Sequence, residues 1–565
     1  MTEPARPEGR GQLLRVLSLV LIACAPTVRL DRPAATQTEI TVADVRSRIY
    51  RIADDSMRGR EAGEAGNVQM TSYLAGELAR IGLEPAGDNG TFFQTIPMVR
   101  RRPDSTSWLT VNDEQLAVFT DFAPLRPTSS LRAGILLSAT RAGTVYGGRA
   151  GDTTISLSPD QVAGKIVVLD APLGADGKPT PIYGTPTGLS ISRFPSAAAV
   201  AVAVLDILSA NAKASVRGRG NGLGIYADRS PMALLISRSA AEKLMGAPLD
   251  VIPPGATGRA VSARIGFRGE PTRAPARNVV AILRGSDPRL RGQLVAIGAH
   301  SDHIAVDARP VDHDSLRAFN RVVRPEGRQT ALRVPTADEW SRIRAILDSL
   351  RRLNPPRLDS INNGADDDGS GSVAALEIAQ SLASGTRPRR SILFVWHTAE
   401  EGGLLGSSWF TDNPTVPRDS IVAQLNMDMV GRGSDSLRGA LPRTIQIIGS
   451  RRLSTQLGEV VDAVNNARPT PFRIDYSYDT PRHPYNRYCR SDHYNYARRG
   501  IPISYFSRGY HEAYHMVIDE PQYIDFEGLA EVAGFVRDVA VAIANREGRL
   551  VVDRPRMNPL APCLQ

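Results

Sequence analysis

Three apolar runs in this chain stop at clusters of histidines and carboxylates, and that pattern constrains the fold more than any other feature. Residues 294–299 end at His300-Ser301-Asp302-His303, residues 392–396 at His397-Thr398-Ala399-Glu400-Glu401, and residues 421–425 at Asn426-Met427-Asp428. Short, continuously apolar runs suit strands buried on both faces. In open α/β sheets the carboxyl ends of such strands converge on one crevice, where ligands bind. Packing alone gives no reason for three separate strands to deliver His, Glu-Glu and Asp to one edge. Further strands are predicted at 278–283, 444–448 and 501–506. A helix is predicted at 372–383, apolar at Val373, Leu376, Ile378, Ala379 and Leu382, and a closing helix at 526–544. This alternation predicts an α/β fold with a mixed, largely parallel central sheet flanked by helices.

The 565 residues exceed one ordinary core, so more than one domain is expected. Amphipathic helices are predicted at 42–53 and 67–81, with Gly82 as a C-cap of the second. Residues 125–270 have another texture: short β-rich runs at 164–169, 197–205 and 233–237 between Gly/Pro/Ser-rich loops, without acid-histidine clusters. They are read as an inserted β-rich domain. The principal domain is then 42–124 with 271–548, followed by a C-terminal tail at 549–565. Within it, 305–360 is a polar insertion with one clear helix, 338–353, and no chemical signature.

Arg6, Arg10 and Arg15 precede a short apolar run, 16–23, too short to span a bilayer. A positive segment followed by an apolar one is the layout of a signal peptide, assigned to 1–24, with a linker at 25–41. The run closes on Leu21-Ile22-Ala23-Cys24, which resembles a lipoprotein lipobox and implies membrane attachment through a lipidated Cys24. Export is therefore expected, to a periplasmic, membrane-anchored or extracellular location. In that oxidising setting Cys489 and Cys563 are the only cysteines left to pair. The net charge of +9 is almost all arginine scattered among acids, the only lysines being Lys165, Lys178, Lys213 and Lys243. No basic stripe forms, so a nucleic-acid partner is not expected.

A fourth cluster, Gly364-Ala365-Asp366-Asp367-Asp368-Gly369, opens the 372–383 helix. Adjacent carboxylates repel without a counter-charge; a helix N-terminus supplies some and a metal ion far more. Histidines and carboxylates without a nearby thiolate suit zinc, or less selectively manganese or cobalt. There are more carboxylates than one zinc needs, so two ions sharing a bridging acid are expected.

These motifs, and their order, resemble those of the M28 family of zinc aminopeptidases. The resemblance implies that His300 binds metal and that Asp302 orients it from behind. It makes Asp367 the bridging carboxylate in Gly364–Gly371. In Glu400-Glu401-Gly402-Gly403-Leu404-Leu405-Gly406-Ser407, Glu400 becomes the general base and Glu401 a ligand of the second zinc. Asp428, in Asn426-Met427-Asp428-Met429, falls on the first zinc. Tyr514-His515 supplies the last ligand, His515, and an oxyanion donor, Tyr514. By texture, 125–270 resembles the protease-associated domain of many members. The implied fold is zinc exopeptidase-like, the implied substrates are peptides, and the implied reaction removes N-terminal residues with two Zn2+ ions. A carboxypeptidase would need a cationic clamp, for which Arg490, Arg498, Arg499 and Arg508 are the candidates. A one-zinc glutaminyl-cyclase-like transferase and a non-catalytic binding protein are the other readings on this fold, and retention of the full ligand set argues against both. Two departures stand out: the interval from His300 to Asp367 is long because of 305–360, and Asp368 stands where Asn is common. His303, His397 and His511 read as structural or supporting histidines, and Asp366 as a solvated capping acid. Ser491-Asp492-His493 has the letters of a serine-hydrolase triad, but consecutive side chains point apart.

Overall fold

In a computed structural model the described residues are 36–127, 133–152, 154–174, 177–180, 191–218, 220–224, 231–353, 355–433, 443–481, 483–556, 558 and 563. The signal segment 1–24, with Cys24, lies outside them. All elements below belong to the unit Thr38–Gln565. Among the described residues no helix is long and apolar enough to cross a membrane.

A nine-stranded mixed sheet organises the chemistry. Its strands, in chain order, are β1 (Glu84–Pro85), β2 (Phe93–Ile96), β3 (Ala276–Leu283), β4 (Leu294–His300), β5 (Ser391–His397), β6 (Ile421–Met427), β7 (Thr444–Ile448), β8 (Arg473–Asp475) and β9 (Ile503–Ser507). The spatial order is β1-β3-β5-β4-β6-β9-β7-β8, with β2 also on β3. The middle four strands, β5-β4-β6-β9, are mutually parallel. Antiparallel pairs β3–β5 and β9–β7 flank them. The apolar runs are continuous because alternate residues feed two cores. Val295, Ile297 and Ala299 pack with helices Val42–Ile52, Ala65–Arg80, Gly369–Ser384 and Phe526–Asn545. Leu294 and Ala296 pack on the other face with Phe410, Tyr494 and Tyr496. The helix C-cap expected at Gly82 is present, with φ +79° and its N–H on the Ala79 carbonyl.

Strands of 98–124 pair with strands of the 125–270 stretch. The long strand Val261–Pro271 pairs with Met98–Pro103, Trp108–Val111 and Leu136–Ala142. Phe122–Pro124 pairs with Met232–Ile236. Strands from Met98 onward therefore share sheets with strands that follow residue 125. The second of these sheets is parallel at the centre, with Ala199–Ala203 between Ile166–Asp170 and Met232–Ile236.

Residues 305–360 fold into a small unit. Val306–Asp312 pairs with Leu358–Ile361, and helix His313–Val323 packs on helix Ala337–Arg351 through Ala318, Val323, Ile343 and Leu350. The first of these helices was not expected from sequence. Its apolar residues, Leu316, Phe319, Val322 and Val323, do recur at helical spacing, but over only about two turns.

Candidate metal centre

Parallel pairing puts the carboxyl ends of β5, β4, β6 and β9 on one edge, and each delivers its side chain there. His300 is the last residue of β4, Glu400 and Glu401 lie in the turn after β5, and Asp428 follows β6. Asp367 precedes helix Gly369–Ser384, and His515 comes from the segment after β9. Ala399, Met429 and His515 sit at φ 55°, 60° and 57°. A left-handed backbone is uncommon for such residues and persists where surrounding packing over-determines it.

Two clusters form around one shared carboxylate. In the first, His300 Nε2 is 3.2 Å from Asp367 Oδ1, 3.9 Å from Asp428 Oδ1 and 4.0 Å from Glu400 Oε2. In the second, His515 Nε2 is 3.1 Å from both Asp367 Oδ2 and Glu401 Oε2. Asp367 thus turns one oxygen to each histidine. His303, expected to be structural, also enters the second cluster: its Nδ1 is 2.9 Å from Glu401 Oε1 and 3.9 Å from Asp367 Oδ2. Donor atoms of His300, Asp367 and Asp428, and of His303, Asp367 and Glu401, lie close enough together to surround single ions.

Asp368, beside the bridge, has a purely architectural use. Its buried carboxylate accepts the backbone N–H of His300 (3.0 Å), Gly371 (2.9 Å) and Met429 (3.3 Å). One side chain therefore fastens the ends of β4 and β6 to the helix that follows Asp367. Asp366 is not the solvated cap expected; it is fully buried, accepting from Gly431 N (2.7 Å) and paired with His511 Nε2 (3.1 Å). Asp302 approaches His300 through its backbone: the His300 Nδ1 contact is to its carbonyl oxygen at 3.1 Å, the carboxylate standing at 3.8 Å. That carboxylate instead accepts the Glu400 N–H at 3.0 Å.

Charge is unbalanced here. Burial raises the carboxyls of Asp368 and Glu400 well above the ordinary range, and that of Asp428 to about 7, against the pull of His300. Asp367 moves the other way, since His300 and His515 outweigh its burial. Glu401 falls to about 2, burial again being overcome by His515. Buried Asp367 Oδ2, Glu401 Oε1 and His303 Nδ1 have no hydrogen-bond partner among the described residues. Excess buried carboxylate and unpartnered donors facing one another fit divalent cations, and the His/carboxylate set suits zinc.

Residues 278–540 match the model of peptidase family M28. This part of the chain belongs to that family. The chain is 31% identical over 196 residues to leucine aminopeptidase 1 of Aspergillus oryzae, covering 32% of this chain and 47% of that one. It is 42% identical over 78 residues to leupeptin-inactivating enzyme 1 of Streptomyces exfoliatus, covering 13% and 18%. It thus spans less than half the length of these curated relatives. Among solved structures it is similar to an aminopeptidase from Aneurinibacillus sp. strain AM-1, at 16% identity, TM-score 0.47, and 92% and 98% coverage.

The M28 domain opens its centre into a cavity of about 270 Å³ lined by Asp367, Glu400, Glu401, Asp428, Tyr514 and His515, with Arg490 on its wall. Tyr514 stacks on His515, ring centroids 3.9 Å apart, and its hydroxyl is 3.4 Å from Arg490 Nη2. Of the four arginines considered as a carboxylate clamp, Arg490 alone lines this cavity. Arg498 and Arg499 are paired with Asp412, and Arg508 with Asp525. Ser491, Asp492 and His493 diverge: the Ser491 hydroxyl meets Asn426 Nδ2, Asp492 faces His397, and His493 packs on Tyr505. His397 supports, with Nε2 3.0 Å from the Tyr496 hydroxyl.

The 305–360 unit reaches the back of the M28 site. Asn320 Nδ2 donates to the Glu512 carbonyl at 2.8 Å, and Arg328 N to the Tyr514 carbonyl at 3.1 Å. Gly327 lies so close that a Cβ there would stand 2.5 Å from the Tyr514 carbonyl oxygen. These contacts brace the segment carrying Tyr514 and His515, a connection without any motif in the sequence.

Proposed function

We propose that this chain is an exported zinc aminopeptidase that removes N-terminal residues from peptides with a two-ion centre. The observation that carries the reading is the divided carboxylate of Asp367, which faces His300 and Asp428 with one oxygen and His515 and Glu401 with the other. In this reading His300, Asp367 and Asp428 hold the first ion, and Asp367, Glu401 and His515 the second. Bound zinc supplies Lewis acidity, lowering the pKa of water to about 7 and polarising the scissile carbonyl.

The chain's own residues do the remainder. Glu400 lies in the same cavity, 4.0 Å from His300 Nε2, and is left free to move protons. There it takes a proton from water and passes it to the leaving amine. Asp302 holds the Glu400 backbone in place. Tyr514 donates its hydroxyl to the developing oxyanion. The names of the relatives, leucine aminopeptidase among them, favour an exopeptidase acting at amino termini. The Cys489–Cys563 disulfide accords with an oxidising destination, and residues 21–24 with a lipid anchor there. The insert, Met98 to Pro271 by strand pairing, takes the part of a protease-associated domain.

Activity on a panel of aminoacyl chromogenic substrates, with N-acetylated controls, before and after chelation, tests this. Cleavage of free but not blocked substrates is expected, lost on chelation and regained with zinc. Cleavage of blocked substrates would overturn the aminopeptidase reading.

A further inference from the structure

Buried histidines normally give one ring N–H to an acceptor and accept at the other nitrogen. His303 does neither with any described residue, although its side chain is completely buried. The ring is nonetheless held in place. It packs edge-on to His515, centroids 5.7 Å apart, and lies against Gly364, where a Cβ would come within 2.5 Å of its Cγ. Gly364 is itself pinned by Arg60, whose guanidinium donates to the Gly364 carbonyl at 2.9 Å. The fold thus fixes the ring with Nδ1 turned toward the Glu401 and Asp367 carboxylates.

The spacing is that of metal donors. Atoms about 2.0–2.2 Å from a tetrahedral zinc stand roughly 3.3–3.6 Å from one another. His303 Nδ1 is 2.9 Å from Glu401 Oε1 and 3.9 Å from Asp367 Oδ2, bracketing that range. His300 keeps nearly the same distances, 3.2 and 3.9 Å, from Asp367 and Asp428. At 2.9 Å, His303 Nδ1 and Glu401 Oε1 still do not align as a hydrogen bond. Leaving both buried and unpartnered forfeits their hydration without replacing it. A cation between them satisfies both.

We infer that His303 is a ligand of the second ion through Nδ1, an inference that rests on the two-ion reading above. The second site then has four protein groups, Asp367, Glu401, His515 and His303. The first has three, His300, Asp367 and Asp428. Four ligands close a zinc site, whereas three leave a position open. The two ions are therefore unequal: the second is held by more protein groups, and the first carries the open position and exchanges more readily.

Zinc-edge X-ray absorption of the zinc-loaded wild-type protein, with metal content, tests this without a variant. Two zincs with about 1.5 histidine nitrogens per zinc are expected, against about 1 if His303 stays outside. Chelator competition on His303→Phe, which keeps a packed ring but no donor, is the second arm. One of its two zincs should weaken by at least ~100-fold while the other holds, with the metal-free fold checked by circular dichroism. About 1 histidine per zinc, or His303→Phe binding both ions like wild type, overturns the inference while sparing the two-ion reading. A single zinc per wild-type chain overturns both. If His303→Phe does not fold, the absorption count on wild type decides alone.

Discussion

Asp367 and Asp368 are neighbours of identical chemistry with separate uses, which their surroundings decide. Asp367 faces the histidines, whereas Asp368 faces three backbone N–H groups. Asp368→Ala should leave those amides buried and unpaired, at about 1–3 kcal/mol each. Denaturant unfolding of the metal-free protein should show a loss of roughly 3 kcal/mol or more; an unchanged midpoint would refute the role given to Asp368. Glu400 tests the chemistry instead. Glu400→Gln keeps the shape and should lower turnover by roughly 10²–10⁴ while zinc content stays at the wild-type level. Full activity in that variant would remove Glu400 as the base. The strand-end motifs made His300, Glu401 and Asp428 legible from sequence. Asp366 and His303 were not, because a residue's letter says nothing of which partner the fold turns toward it.

At the scale of elements, the segment after β9 depends on supports that come from elsewhere in the chain. Besides Asn320 and Arg328, it is clasped by a buried ion pair, Arg432 Nη2 to Glu512 Oε1 at 2.5 Å. Burial alone would raise the Glu512 carboxyl, but Arg432 draws it down to about 2. Its folded pKa lies below the unfolded value of about 4.3, so the stabilisation is complete above that pH and disappears as pH falls toward 2. The stability gap between wild type and Glu512→Gln should be on the order of 2–3 kcal/mol at pH 6 and shrink toward pH 3. A gap that widens on acidification would reverse the sign assigned here. Helices and strands with clean apolar periods, such as Gly369–Ser384 and β4 to β6, were readable within a few residues. Helix His313–Val323 was not, although its apolar residues recur at helical spacing, because that period spans only about two turns inside an otherwise polar stretch.

Across the whole molecule, the metal centre joins parts far apart in sequence, and so does the disulfide. Cys489, next to the cavity wall, is tied to Cys563 across 74 residues. Chain-entropy reasoning gives a crosslink over 74 residues about 4 kcal/mol. Cys563→Ser should lower unfolding stability by up to that amount; no change on removing the bond would count against its structural role. Sequence texture gives no sign that the strands of 98–124 share sheets with those of 125–270. The strands 98–124 alternate like those of any half-buried sheet, and only their pairing with Val261–Pro271 and Met232–Ile236 assigns them.

The central claim is that one carboxylate, Asp367, bridges two ions. Zinc-edge anomalous diffraction from crystals of the zinc-loaded protein tests it most directly. The account predicts two peaks about 3.5–4 Å apart, one beside His300 and Asp428 and the other beside Glu401 and His515, with Asp367 between them. A single peak, or two that do not share Asp367, would contradict it.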